Sequence, residues 1–104
     1  MYNNVTITDC LTTGQIEYIR ELLDISEEAY NNYYKPYSTH MDKSNSVKEI
    51  EWSRAMIYGF IDGLYHSESI TSIERNRLLG KYVLNNRVYN DDDIKNFKFL
   101  RFLT

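Results

Sequence analysis

Three capping boxes divide this chain into helical segments. A capping box is a Ser or Thr followed three residues later by Glu or Gln, and the two residues satisfy each other's free backbone N–H groups at a helix start. The chain has three such pairs: Thr12 with Gln15, Ser46 with Glu49, and Thr71 with Glu74. Apolar residues follow each pair at helical spacing, so the sequence predicts a mainly α fold.

An αα-hairpin is predicted over residues 46–85. Its first helix runs to about Tyr65, and its second begins at the Thr71 capping box. The buried face of the first helix is expected to contain Val47, Ile50, Ile57, Ile61 and Leu64, widened by Trp52, Met56 and Phe60. Gly59 and Gly63 lie four residues apart in this helix, where each glycine is costly. We therefore expect another helix to approach closely along that line.

The first third of the chain carries signals of different strength. Residues 1–11 are typical of an extended arm or a short edge strand. Apolar residues then recur at helical spacing over residues 13–34. Asp24 and Ser26 offer a fresh cap, so this segment is predicted either as one helix or as two shorter ones.

The remaining segments complete a single domain over residues 1–104. Pro36 disfavours helix immediately before it, and a loop is predicted over residues 35–45. Asp91 opens a last helix that carries Ile94, Phe97 and Leu100, although the alternation from Phe97 onward also suits a terminal strand. We expect a small helical bundle of four or five helices around the hairpin.

Composition limits the class of protein. Cys10 is the only cysteine of the 104 residues, so an internal disulfide or a thiolate metal cluster cannot form within one chain. No segment approaches the roughly 20 apolar residues of a membrane span. The chain also lacks a phosphate-cradling glycine loop and a dinucleotide fingerprint. These features predict a cytoplasmic protein without a membrane segment or a cofactor.

Catalytic and metal chemistry find little support in the sequence. Asp62 and His66 are four residues apart and can face one ion, but a closed zinc site needs a further nitrogen or sulfur ligand. A surface hydrogen bond between the two is the favoured interpretation. Cys10 follows Asp9, whose charge disfavours the thiolate. We therefore expect no catalytic residue, no bound metal and no enzyme activity.

Charge is divided unevenly along the chain. Residues 1–34 contain one base and six acids, a net charge of 1 − 6 = −5, whereas residues 69–104 contain seven bases and four acids, a net charge of 7 − 4 = +3. The two ends can attract each other within the fold or in a head-to-tail oligomer. Alternatively, the acidic end faces a partner of opposite charge.

Acids and tyrosines close together in the first third suggest a surface that binds a protein. Carboxylates can dock into a basic, nucleic-acid-binding groove as a DNA mimic, with tyrosines as anchors. The predicted partner-binding residues are Glu17, Glu21, Asp24, Glu27, Glu28, Tyr30, Tyr33, Tyr34 and Tyr37. The predicted partner is a protein with a basic surface, and a homodimer remains an alternative. This interpretation requires that the acids face outward and are not neutralised by the basic end.

A helix-turn-helix DNA-binding regulator is the second interpretation. The second helix of the hairpin, over residues 72–85, carries Arg75, Arg77 and Lys81, which could contact phosphates. The overall charge of −3 argues against DNA affinity, because that affinity depends on neutralising phosphate charge.

The stretch AMIYGFIDGLYHSESITSIERNRLLGKY, from Ala55 to Tyr82, resembles helical hairpins of short accessory proteins of Gram-positive bacteriophages and mobile elements. The Asn-, Tyr-, Ile- and Lys-rich composition is similar to theirs. The resemblance implies a viral protein in the host-cell cytoplasm that acts stoichiometrically. Its implied target is a host enzyme, a transcription or replication factor, or an antiviral nuclease, as an anti-defence or anti-CRISPR inhibitor.

Overall fold

The computed structural model describes residues 10–97 of the chain. Its elements in chain order are α1 (Thr13–Tyr33), α2 (His40–His66), α3 (Ser72–Leu79), the π-helix π1 (Gly80–Leu84) and α4 (Asp92–Lys95). The predicted mainly α fold and small helical bundle are confirmed, with no strand among the described residues. The predictions for residues 1–9, and for a terminal strand beyond Phe97, lie outside this range.

The two long helices α1 and α2 form the most extensive packing contact of the bundle. Ile19 and Leu22 of α1 and Ile57 and Ile61 of α2 are buried in their shared core. In each helix these residues are three or four positions apart, which places them on one face. The α2–α3 hairpin is also present, but α3 has only 8 residues and packs against α2.

Helix α2 begins six residues before the predicted Ser46 start, so most of the predicted loop over residues 35–45 is helical. Thr39 Oγ1 accepts the Asp42 N–H at 3.0 Å, and Asp42 Oδ2 accepts the Thr39 N–H at 3.0 Å. Hydrogen bonds from the Thr39 backbone and side chain lower the pKa of Asp42. Aspartate thus takes the place of the usual Glu or Gln, while Ser46 lies buried in the helix interior.

Helix α1 is continuous, so the predicted alternative of a break at Asp24 and Ser26 is wrong. Ser26 Oγ donates to the Leu22 carbonyl at 3.3 Å, a bond compatible with an unbroken helix. The same hydroxyl contacts the hydroxyls of Ser53 and Tyr89 in the core. This buried hydroxyl cluster joins α1, α2 and the segment before α4.

The turn between α2 and α3 is closed by a Schellman motif. The Ser69 N–H donates to the Leu64 carbonyl at 2.9 Å, and the Glu68 N–H donates to the Tyr65 carbonyl at 3.0 Å. Glu68 has φ of 65°, a left-handed conformation in which glycine is usual. Glu68 therefore occupies the left-handed position of the turn, where glycine is the usual residue.

The second hairpin helix continues from α3 into π1 and ends at Asn85, as predicted, although the π-helix was not expected. The Asn85 N–H donates to the Gly80 carbonyl five residues earlier, at 2.9 Å. The predicted start of the last helix at Asp91 is also confirmed, because Asp91 Oδ1 accepts the Ile94 N–H at 3.1 Å. This helix ends at Lys95, however, so the prediction that it includes Phe97 is wrong.

The face of α2 opposite the core differs from its prediction. Trp52 and Met56, which were expected to widen the buried face, are 51% and 37% exposed. A β-carbon built on Gly59 or Gly63 would have no atom within 4 Å, so the expected close approach does not occur within the described chain. Each glycine costs the helix about 0.5–1 kcal/mol relative to alanine without a compensating contact there.

Candidate interaction surface

Four acidic residues of α1 form one line on its outer surface. Glu17, Glu21, Asp24 and Glu28 follow each other at intervals of four, three and four residues. At 3.6 residues per turn, their directions from the helix axis lie within an arc of about 60°. The line is about 16 Å long at 1.5 Å per residue. We call these four residues the acidic stripe.

The acidic stripe faces solvent. All four side chains are exposed, and they lie opposite the core residues Ile19 and Leu22. In the part of the chain that the structure describes, ion pairs involve Asp62 and Glu27 but none of the four stripe carboxylates. The stripe therefore meets the requirement that these acids face outward without neutralisation by the described basic residues.

Glu27 does not belong to the stripe, and its prediction as a partner contact needs correction. Arg87 Nη2 lies 2.6 Å from Glu27 Oε1, and the Arg87 guanidinium also stands 4.9 Å from the centre of the Tyr30 ring. Both charged side chains are partly exposed, so this pair contributes at most about 1 kcal/mol. Neutralisation by the basic end thus occurs at one of the five acids predicted to contact a partner.

Two of the predicted tyrosine anchors bind the C-terminal part of the chain instead. The Tyr30 hydroxyl donates to Asp91 Oδ2 at 3.0 Å, and the Tyr34 hydroxyl donates to the same oxygen at 2.8 Å. We call Tyr30, Tyr34 and Asp91 the tyrosine clamp. The clamp holds the end of α1 against the start of α4, so these hydroxyls are already used within the chain.

The clamp changes the pKa values of all three groups. The hydrogen bond to Asp91 and then burial raise the pKa of Tyr30, whereas burial and then the bond to Asp91 raise the pKa of Tyr34. Burial by itself would raise the pKa of Asp91, but hydrogen bonds from Tyr34, the Ile94 N–H and Tyr30 lower it below its ordinary value. The geometry therefore favours a charged Asp91 bound to two neutral phenols.

The two remaining predicted anchors have opposite environments. Tyr33 is only 7% exposed, so its prediction as a partner contact is wrong; its position on the α1 helix turns it toward the core. Lys43 Nζ stands 4.3 Å from the centre of its ring. Tyr37, in the connection between α1 and α2, is 94% exposed. It is the anchor whose side chain is most accessible to a partner.

The bases of the helix-turn-helix alternative do not form one surface. Arg75 Nη1 lies 3.6 Å from Asp62 Oδ1, and its guanidinium is 4.3 Å from the centre of the Tyr65 ring. It is therefore directed toward α2. Arg77 and Lys81 are exposed on a different side of the α3–π1 segment. A phosphate backbone could not contact all three bases together in this arrangement.

Asp62 and His66 form the surface contact that the sequence favoured. His66 Nε2 lies 3.2 Å from Asp62 Oδ2, and Arg75 approaches the other carboxylate oxygen. Within residues 10–97, no group of three or more His, Cys, Asp or Glu side chains is arranged to hold a metal ion. Asp62 instead links α2 to α3 through Arg75, while His66 is its neighbour on α2 itself.

Comparison with known proteins finds no matching family model, curated protein or solved structure. None of the helices described is both long and apolar enough to cross a membrane.

Proposed function

We propose that the protein is a non-catalytic interaction module that inhibits a nucleic-acid-binding protein by occupying its basic surface. The acidic stripe makes the principal contact, and the inhibitor acts at a one-to-one ratio without turnover. One observation carries this proposal: four exposed carboxylates stand in line on α1 without an ion-pair partner among residues 10–97.

The energetics of the helix support a role for the stripe outside the fold. Like charges three or four residues apart on a helix repel each other, and each pair costs a few tenths of a kcal/mol. The stripe contains three such neighbouring pairs, and Arg20, three residues after Glu17 and four before Asp24, offsets part of their repulsion. A basic partner would reverse this repulsion and would be attracted from a distance by the same charges.

The spacing of the stripe suits a surface that normally binds phosphates. Its charges are about 5.5 Å apart along the helix axis, from 1.5 Å per residue. One strand of duplex DNA carries a phosphate about every 3.4 Å along its axis. The stripe interval therefore falls between one and two phosphate steps, a difference that flexible Lys and Arg side chains can accommodate.

The resemblance of the hairpin to accessory proteins of bacteriophages extends the proposal to a class of target. In that setting, the partner is a host transcription or replication factor, or an antiviral nuclease such as a CRISPR effector. Tyr37 is retained as the aromatic contact beside the stripe, because its side chain is accessible.

The test compares two variants of equal charge. The stripe variant carries Glu17→Gln, Glu21→Gln, Asp24→Asn and Glu28→Gln. The control carries Glu49→Gln, Glu51→Gln, Glu68→Gln and Asp92→Asn, four exposed acids away from the stripe. Each set changes the net charge from −3 to −3 + 4 = +1. A difference between the variants therefore reports the position of the charge and not its amount.

Wild-type protein is used to capture partners from a nuclease-treated bacterial lysate, and a captured protein is then purified and titrated. We expect an equimolar complex that duplex DNA or RNA displaces and that weakens with salt. The stripe variant should bind at least about tenfold more weakly, a loss of about 1.4 kcal/mol, while the control binds like wild type. Equal binding by both variants, or a complex that neither duplex DNA nor RNA displaces, would contradict the proposal.

A further inference from the structure

A cavity of about 290 Å³ lies between α2, π1 and α4. Four buried side chains form its apolar floor: Ile50, Val83, Tyr89 and Ile94. The volume is close to the lower limit of the range of about 300–1,000 Å³ that is usual for small-molecule sites. The cavity, which we call the α2–α4 pocket, therefore has room for one small ligand, such as an aromatic ring with a short substituent.

Exposed polar side chains surround the opening of the α2–α4 pocket. Glu51 and Arg54 belong to α2, Asn90 precedes α4, and Lys95 is the last residue of α4. An apolar floor with a few polar groups around it is the usual organisation of a site for a small organic ligand, because the polar groups fix the orientation of the ligand.

The charges at the opening are not neutralised by ion pairs. Among residues 10–97, the ion pairs involve neither Arg54 nor Lys95. Glu51 lies three residues before Arg54 on the same helix, but these two side chains form no ion pair in the described chain either. Two cations and one carboxylate give the lining a net charge of 2 − 1 = +1. This charge is complementary to a ligand with one negative charge.

Hydrogen bonds hold the walls of the pocket in place. Asn90 Nδ2 donates to the Leu84 carbonyl at 2.7 Å and to the Asn86 carbonyl at 2.8 Å, which ties the end of π1 to the segment before α4. The Tyr89 hydroxyl contacts Ser26 in the buried hydroxyl cluster, so the Tyr89 ring is held in the floor. Walls that are fixed before binding reduce the entropy lost when a ligand binds.

The helix that forms one wall is itself unusual. The π-helical turn π1 contributes Val83 and Leu84 to the pocket, and Leu84 is 60% exposed although it is apolar. Turns of π-helix are rare and occur frequently at functional sites. A ligand in the pocket would cover part of the Leu84 side chain and remove apolar surface from water.

We propose that the α2–α4 pocket binds a small organic monoanion, with an apolar body on the floor and a carboxylate at Arg54 and Lys95. The Arg54 guanidinium can bind both oxygens of a carboxylate, and Lys95 adds a second cation from α4. Glu51 repels a further negative charge, so the pocket discriminates against dianions. No residue of the acidic stripe lines the pocket, so this site is separate from the proposed partner surface.

Phenylacetate is the probe, titrated to about 20 mM into the full-length protein and followed by NMR. We expect saturable binding with a Kd of about 1 mM, as suits a ligand of this size, and the largest shifts among backbone amides of residues 83–95. At ten times Kd the Tm should rise by about 5 °C. Absence of saturation, or largest shifts away from the pocket, would overturn the proposal.

Two analogues of phenylacetate test the charge of the ligand. Phenylacetamide has nearly the same shape without the charge, and phenylmalonate carries a second carboxylate. Each should bind at least about tenfold more weakly than phenylacetate. An amide that binds as tightly as phenylacetate would show that burial of the ring alone drives binding and would overturn the proposal. Equal or tighter binding of phenylmalonate would overturn it as well.

A matched pair of double variants tests the position of the cations. Arg54→Met with Lys95→Met removes both pocket cations, whereas Arg77→Met with Lys81→Met removes two exposed cations that do not line the pocket. Each pair changes the net charge from −3 to −3 − 2 = −5. The Tm without ligand shows that each variant is folded. The pocket variant should bind phenylacetate at least about tenfold more weakly, while the control binds like wild type. Equal binding by both variants would overturn the proposal.

Discussion

The outer surfaces of the two long helices differ sharply, although their inner surfaces share one core. Helix α1 presents the acidic stripe, whereas the side of α2 opposite Ile57 carries the exposed side chains of Trp52 and Met56. Packing between α1 and α2 requires apolar residues only along the inner faces. The difference shows that one helical pair can present two surfaces of different chemistry, because packing of the core does not restrict which residues occur on the outer surfaces.

The largest expected effect on stability is at the buried surface of α2, which is compared with its exposed surface. Ile57→Ala removes a fully buried side chain and should lower the free energy of unfolding by about 2–5 kcal/mol. Met56→Ala, one residue earlier, should change it by less than about 1 kcal/mol, because Met56 is exposed. Urea denaturation measures both losses. Similar losses would show that the exposed surface of α2 also supports the fold.

An intermediate effect concerns the tyrosine clamp, which removes Tyr30 and Tyr34 from the predicted partner surface. Asp91→Ala deletes a helix cap and the acceptor of both phenols, so it should cost about 1–2 kcal/mol at neutral pH. The exposed neighbour Asp92, changed to alanine, is the control.

The pH dependence of this loss follows from the pKa directions. The folded pKa of Asp91 is lowered, so its stabilisation is present above the unfolded value of about 3.9 and is lost as pH falls through the folded value. The pKa values of both tyrosines are raised, so their contribution persists up to about pH 10 and is lost above it. A difference between wild type and Asp91→Ala that stays constant down to pH 2 would contradict the clamp.

The smallest expected effect on stability tests whether the acidic stripe contributes to the stability of the fold. Glu21→Lys places a base four residues after Glu17 and three before Asp24, so it should stabilise α1 by about 0.5 kcal/mol. Glu49→Lys makes the same charge change on α2, where no charged residue lies three or four positions away. Thermal unfolding compares the two. A destabilised Glu21→Lys would indicate that the stripe has a structural role.

Local signals predicted most helix ends correctly. The capping boxes at Thr12 and Thr71 start α1 and α3, and Asp91 starts α4. Thr39 also caps a helix, but the residue at the third helical position is Asp42 and not the Glu or Gln of the usual capping box. The sequence therefore indicated Ser46, one of two serines that the longer helix buries near its start.

The candidate surface was only partly predictable. The intervals of four, three and four between the stripe acids are visible in the sequence and could have separated Glu27 from the other acids. The pairing of Glu27 with Arg87 could not be predicted from the sequence, because the two residues are 60 positions apart. The spacing of the uncharged residues on α2 was equally visible, but the local sequence does not show whether a helix face is buried or exposed.

The sequence by itself determined where helices start, which residues share a helix face and how charge is divided along the chain. Those properties depend on hydrogen bonds and side-chain spacing within about one helical turn. Only the tertiary structure decided which face of α2 meets the core, which tyrosines bind Asp91 and which acids remain unpaired. These outcomes depend on contacts between distant segments, whose geometry is set when the two long helices pack around one core.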